Sequence, residues 1–196
     1  MCVYERTPIL IQGDEHMAQK CTTELLSPAG TWEALAAAVQ NGADAVYIGG
    51  SAFSARAGAK NFDDTQLCSA VRYCHVRGVK VFVTLNTLIK ENEFEDAVHF
   101  ASFLRDIGTD GIIIQDFGLA SFILKVMPDI RLHASTQMTV HSVSGAKALS
   151  ELGFKRIVLA RELSFEQIKQ IKRETDTELE IFVHGAICCS YSGQCL

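Results

Sequence analysis

Along most of the chain, a helical stretch ends at a glycine and a short apolar run follows within a few residues. The junctions with this pattern are NGADAVYIGG, RGVKVFVTLN, IGTDGIIIQD and LGFKRIVLAR, which contain Gly42, Gly78, Gly108 and Gly153. Glycine commonly follows the last turn of a helix, where the backbone adopts a left-handed conformation. The apolar runs show no polar alternation, which is typical of strands buried on both faces. The pattern predicts a repeated β/α unit.

The helices between these strands carry start signals and one apolar face. Asp63 with Gln66, and Ser164 with Gln167, have the spacing of a capping box. Apolar residues recur at the i, i+3, i+4 and i+7 positions of the segment 67–74, which is the spacing of an amphipathic helix. Each predicted helix therefore has one face that can pack on a sheet.

We predict seven strands, which begin near residues 24, 45, 81, 112, 130, 156 and 179. Strands that alternate with helices indicate a parallel sheet, because parallel neighbours need a crossover connection. A doubly wound open sheet usually shows a GxGxxG or GxxxxGKS turn after an early strand, and the sequence has neither. Seven evenly spaced β/α units fit a (β/α)8 barrel better than an open sheet.

The typical barrel of this type needs about 250 residues, and the chain has 196. We therefore predict an α/β fold, a TIM-type (β/α)8 barrel that is incomplete, with about seven βα units present and the last strand and the C-terminal region missing. Residues 21–196 are expected to form this single partial barrel domain. Residues 1–20 show no periodicity and are expected to be a leader.

Composition narrows the class of protein. The chain is 48% hydrophobic with a net charge of −5, so any nucleic acid partner would need a local basic patch. It has no secretory signal pattern and no apolar run of about 18 residues, so we expect a cytoplasmic protein without membrane insertion. Seven cysteines, an odd number, favour reduced thiols, metal ligands or redox chemistry over a disulfide framework.

The C-terminal ends of the strands are where such barrels carry their chemistry. Arg161 is a candidate for catalysis and substrate binding, because its planar, always charged group suits a carboxylate or phosphate. The alternative for Arg161 is an ion pair with Glu162 or with another acidic residue at the strand ends. Five further residues at strand ends are candidates. His133 and His184 could donate protons or bind a metal, and Asn86, Gln115 and Asp116 could contact a substrate. The alternative for all five is a hydrogen-bonding role in the local structure.

Several common reaction types lack their residues in this sequence. No lysine lies at the end of a predicted strand, so Schiff-base aldolase chemistry has no nucleophile. The sequence also has no HExxH zinc motif and no GxSxG motif. Hydrolysis therefore has no recognisable catalytic residues here.

Three cysteines follow the last predicted strand, Cys188, Cys189 and Cys195. Cys188 and Cys195 form a Cys-x6-Cys pair, which offers two thiolates to one iron, whereas clusters are usually held by four cysteines. The alternative is a single nucleophilic cysteine or inert thiols.

This loop and six further blocks resemble the peptidase U32 family, the collagenase-like proteins. The stretch EIFVHGAICCSYSGQC, residues 180–195, is similar to the signature of that family. The blocks that resemble the family in the same order are ELLSPAG at 24, YIGG at 47, VTLN at 83, QDFG at 115, LHASTQM at 132 and ARELS at 160. The resemblance covers residues 24–195. One departure is TVHS at 139, where the family has blocks similar to THN.

The resemblance implies a 4Fe–4S cluster held by four cysteines, with Cys188 and Cys195 as two ligands and the other two beyond Leu196. It implies hydroxylation of an RNA base without molecular oxygen, with prephenate as hydroxyl donor. Relatives act on tRNA, on ribosomal RNA or in ubiquinone synthesis. It also leaves two alternatives: a collagenase-like peptidase, and a non-catalytic subunit that pairs with a second member of the family. With two of four ligands, the piece itself is expected to be inactive.

Overall fold

Strands and helices alternate along the chain from residue 23 to residue 182 in the computed structural model, which describes residues 2–5, 23–55, 60–186 and 188–194. The strands are β1 (Cys2–Glu5), β2 (Thr23–Pro28), β3 (Ala45–Gly49), β4 (Lys80–Leu85), β5 (Gly111–Ile114), β6 (Leu132–Ala134), β7 (Arg156–Val158) and β8 (Glu178–Phe182). The α-helices are α1 (Trp32–Gln40), α2 (Asp64–His75), α3 (Phe94–Asp106), α4 (Phe117–Val126), α5 (Val143–Leu152) and α6 (Phe165–Glu174). Short 3-10 turns cover Glu91–Glu93 and Thr136–Met138.

The sheet is a closed barrel whose strands follow one another in chain order. Strands β2 to β8 are parallel, which confirms the predicted seven-strand βα repeat. The eighth position is occupied by β1, which pairs antiparallel with both β2 and β8. This strand comes from the segment expected to be an aperiodic leader, and four residues are too few to show a period in the sequence. Among the described residues, no helix has the length and apolar character that a bilayer crossing requires.

The predicted helix signals appear as hydrogen bonds. Asp63 and Gln66 form a capping box at the start of α2, and Ser164 and Gln167 form another at the start of α6. Gly153 ends α5 in the left-handed conformation, with φ of 109°. The local sequence therefore fixes where these helices begin and end.

The apolar residues form two layers, because successive side chains of a strand point to opposite faces. In β4, Val81 and Val83 pack in the large core between the sheet and the helices, whereas Phe82 packs inside the barrel. Leu26 and Ile113 join Phe82 in the interior cluster.

A group of charged side chains fills the barrel interior near the N-terminal ends of the strands. Arg156, 1% exposed, is the centre of the group. Its guanidinium lies 2.8 Å from Glu24, 3.1 Å from Glu178 and 3.6 Å from Glu180. Lys80 also pairs with Glu24. We call these five residues the charged floor. They lie together because parallel strands bring their N-terminal ends to the same end of the barrel.

Candidate functional site at the barrel mouth

The segments that follow the C-terminal ends of the strands form the mouth of the barrel, where this fold carries its chemistry. The segment after β8 includes residues 188–194, hereafter the cysteine loop. Cys188 and Cys189 are exposed in this loop, whereas the exposed fraction of Ser192 is 0%. Buried polar groups are almost always hydrogen-bonded, so the partners of Ser192 show what holds the loop.

Ser192 joins the cysteine loop to the end of β7 and to the turn after β6. Its Oγ accepts hydrogen bonds from the backbone N–H of Arg161 at 3.1 Å and from Arg161 Nε at 3.2 Å. Its backbone N–H donates to Glu162 Oε1 at 2.7 Å, and its carbonyl oxygen accepts from Thr139 Oγ1 at 2.9 Å. We call Thr139, Arg161, Glu162 and Ser192 the Ser192 latch.

Charge strengthens the Ser192 latch on the β7 side. The hydrogen bond from the backbone N–H of Ser192 lowers the pKa of Glu162 below its usual range, and the nearby charge of Arg161 acts in the same direction. Glu162 is therefore ionised at neutral pH, and a guanidinium stays charged at any physiological pH. Hydrogen bonds with an ionised partner are stronger than neutral ones, so the loop is tied down where it meets β7.

Gly193 allows the cysteine loop to approach the turn after β6 closely. Its φ is +80°, and a Cβ at this position would overlap Thr139 Oγ1 and lie 2.7 Å from the carbonyl oxygen of Gln137. His141 extends this contact, since its Nδ1 lies 2.8 Å from the carbonyl oxygen of Thr139. A carbonyl can only accept, so Nδ1 carries the hydrogen. Glycine at 193 is therefore required by both the backbone conformation and the space.

Arg161 lies at the mouth, as the sequence predicted, and it contacts the cysteine loop. Its Nε binds Ser192, and its Nη2 donates to the carbonyl oxygen of Ser190 at 3.3 Å. The structure ties both Arg161 and Glu162 to Ser192, and the charge of Arg161 also lowers the pKa of Glu162, as the ion-pair alternative expects. The guanidinium thus positions the loop that carries Cys188, and its role toward a substrate remains a prediction.

Two of the predicted substrate contacts stabilise loops at the mouth. Asp116 caps α4 by accepting from the backbone N–H of Leu119 at 2.8 Å, and its other oxygen accepts from Ile89 N–H at 3.2 Å. Asn86 Oδ1 accepts from the backbone N–H of Ala55 at 3.0 Å. Gln115, the third candidate, is half-buried directly after β5. The contacts of Asp116 and Asn86 are those expected for a local structural role, which was the alternative to substrate binding.

The two histidine candidates lie in different environments. The sequence placed His133 at the rim, but the structure buries it completely inside the barrel, 4.6 Å from the ring of Phe82. The reason is strand alternation, since Leu132 and Ala134 pack toward the helices. Burial, followed by the positive charge of Arg156, lowers the pKa of His133 well below its usual value. His184 is exposed, after the end of β8.

The predicted metal ligands are only partly within the described residues. Cys188 is exposed on the cysteine loop, and Cys195 lies outside the described residues. Within the part of the chain that the structure describes, no group of three or more His, Cys, Asp or Glu side chains could hold a metal ion. The pairing of Cys188 with Cys195 therefore stays a prediction.

The sequence did not indicate Thr139 or Ser192. They are separated by 53 residues and meet only because the ends of β6, β7 and β8 are neighbours in the barrel. The one local signal is the Ser-Gly pair at 192–193, which is typical of a tight loop.

Comparisons with known proteins agree with this architecture. The model of Peptidase family U32 matches residues 30–196. The 23S rRNA 5-hydroxycytidine C2501 synthase of Escherichia coli strain K12 is 46% identical over 172 residues, which cover 88% of this chain and 26% of that protein. The tRNA hydroxylation protein P1 of Bacillus subtilis strain 168 is 34% identical over 194 residues, covering 99% of this chain and 46% of that protein. The chain thus spans between about a quarter and a half of the length of these relatives.

A solved structure shows the same fold. The U32 peptidase Mk0906 superposes with a TM-score of 0.66 at 16% sequence identity, over 88% of this chain and 71% of that one.

Proposed function

The chain belongs to Peptidase family U32, and we propose that it is the barrel of an iron–sulfur-dependent hydroxylase that modifies an RNA base without molecular oxygen, using prephenate as hydroxyl donor. The observation that carries this proposal is the similarity, at 46% and 34% identity, to two proteins named for hydroxylation of ribosomal RNA and tRNA. An RNA substrate and a cytoplasmic location follow from the same proposal.

The residues at the mouth suit a 4Fe–4S cluster in kind. Cysteine thiolates are soft ligands that select iron–sulfur clusters or zinc, and the Ser192 latch fixes the loop that carries Cys188. In this proposal Cys188 and Cys195 hold the cluster together with two cysteines beyond residue 196. When bound by four cysteines, the cluster would supply electron transfer.

The proposed roles of the remaining residues follow from their positions. Arg161 uses Nε and Nη2 to hold the cysteine loop, and the proposal assigns its Nη1 edge to a carboxylate of prephenate. In the proposal, Gln115 contacts the substrate as well. His184, exposed at the end of β8, is the proposed proton donor. The catalytic role predicted for His133 is not proposed again, because a completely buried ring beside the charged floor cannot touch a substrate at the mouth.

The alternative functions make different predictions. The family name favours a peptidase, which should cleave gelatin above a contaminant control and lose that activity on a single substitution at the mouth. A non-catalytic subunit should copurify with a second member of the family and lack activity without it.

Two measurements test the hydroxylase proposal. The intact protein, purified without air, should contain iron and show broad visible absorbance that Cys188→Ser abolishes and Cys189→Ser preserves. Colourless, iron-free protein would remove the cluster from the proposal. Mass spectrometry of rRNA and tRNA nucleosides from a deletion strain should show the loss of one hydroxylated nucleoside, and an unchanged nucleoside profile would contradict the RNA substrate.

A further inference from the structure

A groove of about 450 Å³ lies along α2, beside the first residue of α1, on the helical layer outside the barrel. Trp32, the single tryptophan of the chain, and Tyr73 line this groove with their ring centroids 5.4 Å apart. Trp32 is 40% exposed. Tryptophan and tyrosine rings offer large flat faces on which a planar ligand can stack.

The groove is also positively charged, although the chain as a whole carries −5. Arg72 and Arg77 line it, and none of the described residues that line it is acidic. The guanidinium carbon of Arg77 lies 3.8 Å from the centre of the Tyr73 ring, and its Nη1 donates to the carbonyl oxygen of Tyr73 at 2.9 Å. Neither arginine forms an ion pair with a carboxylate of the described residues.

Aromatic faces interleaved with guanidinium groups are the chemistry that binds single-stranded nucleic acid, since bases stack on the rings and phosphates pair with the cations. We propose that this groove, hereafter the Trp32 groove, binds a segment of single-stranded RNA that flanks the base held at the mouth. The inference rests on the proposed RNA substrate and adds a second contact for that substrate.

Two residues that line the Trp32 groove follow segments at the mouth closely along the chain. Trp32, the first residue of α1, lies four residues after the end of β2. The residue Thr65, which also lines the groove, follows Phe62, whose backbone bridges to Gly50 directly after β3. The proposal therefore places the RNA strand across this edge of the barrel, between the mouth near β2 and β3 and the Trp32 groove.

The single tryptophan makes the test direct. Titration of the chain with an unlabelled single-stranded RNA of about 12 nucleotides, within the usual site size of such grooves, should quench the fluorescence of Trp32. With a labelled RNA, the double variant Arg72→Gln, Arg77→Gln should bind about tenfold more weakly. Its slope of log affinity against log salt should be smaller by about 1.4, since each phosphate contact to a single strand contributes about 0.7.

The matched control removes two positive charges elsewhere on the helical layer. Lys125→Gln, Lys169→Gln, on α4 and α6, should leave the quenching and the salt slope unchanged. Unquenched Trp32 in the presence of bound RNA, or equal loss in both double variants, would overturn the Trp32 groove and leave the hydroxylase proposal intact. Quenching by an acidic peptide and not by RNA would also overturn it. Quenching by RNA with an unchanged nucleoside profile would support the groove and contradict the hydroxylase.

Discussion

Replacing Gly193 by alanine should release the cysteine loop from its seat on the turn after β6. The new Cβ would meet the side chain of Thr139 and the backbone carbonyl of Gln137, at 2.7 Å from the latter. A side chain can rotate away, but the carbonyl belongs to the turn that follows β6. The loop must therefore move, and the hydrogen bonds of the Ser192 latch must break or lengthen.

The size of the effect follows from the contacts that are lost. Ser192 takes part in four hydrogen bonds, two at its Oγ, one at its N–H and one at its carbonyl oxygen. Each contributes about 1 kcal/mol net, so loss of two to four of them should lower the local opening free energy of the latch by about 2–4 kcal/mol. Since 1.4 kcal/mol is about a factor of ten, amide exchange should accelerate by roughly 30- to 700-fold.

Hydrogen exchange at the backbone amides of Arg161 and Ser192 measures this directly, because both amides donate within the latch. The control is Gly108→Ala, since Gly108 has the same φ of +80° but no atom within 4 Å of its Cβ position. Gly108→Ala should lower the global free energy of unfolding by about 1–2 kcal/mol, because alanine is strained in the left-handed backbone conformation. It should leave the free energy of local opening at the latch amides unchanged. Equal protection of these amides in both variants would refute the argument that the close approach of Gly193 holds the loop.

Two other substitutions test the barrel interior. Arg156→Met leaves the carboxylates of Glu24, Glu178 and Glu180 without their shared cation and should lower the free energy of unfolding by about 3–5 kcal/mol in urea titrations. The exposed Arg131→Met is the control, and its loss should stay below about 1 kcal/mol. Because burial lowers the pKa of His133, the unfolded chain binds the extra proton first, so stability should fall as the pH drops below 6.5. This fall should be smaller in His133→Gln than in the exposed control His99→Gln, and equal slopes would show that His133 is not the cause.

The βα repeat could be predicted from the sequence because several strands contain consecutive apolar residues and most helices have their own boundary signals. Val81, Phe82 and Val83 illustrate the first point, since consecutive residues are all buried in one layer or the other. β1 could not be predicted, because its four residues gain their partners only from β2 and β8.

The location of the candidate site could be predicted from the sequence, but the hydrogen bonds between its residues could not. The position of Arg161 follows from where β7 ends, whereas its partner Ser192 lies 31 residues later and has no periodic relation to it. His133 was assigned to the rim because the predicted strand ended there. The alternation of Leu132, His133 and Ala134 carried the correct signal, since two apolar neighbours that face the helices direct the histidine inward.

The charged floor places paired charges inside the barrel at the end opposite the mouth. Phe82 lies against this group, since its ring centre is 4.8 Å from the guanidinium carbon of Arg156. In the proposed hydroxylase, a co-substrate would therefore be bound at the mouth, beside the cysteine loop.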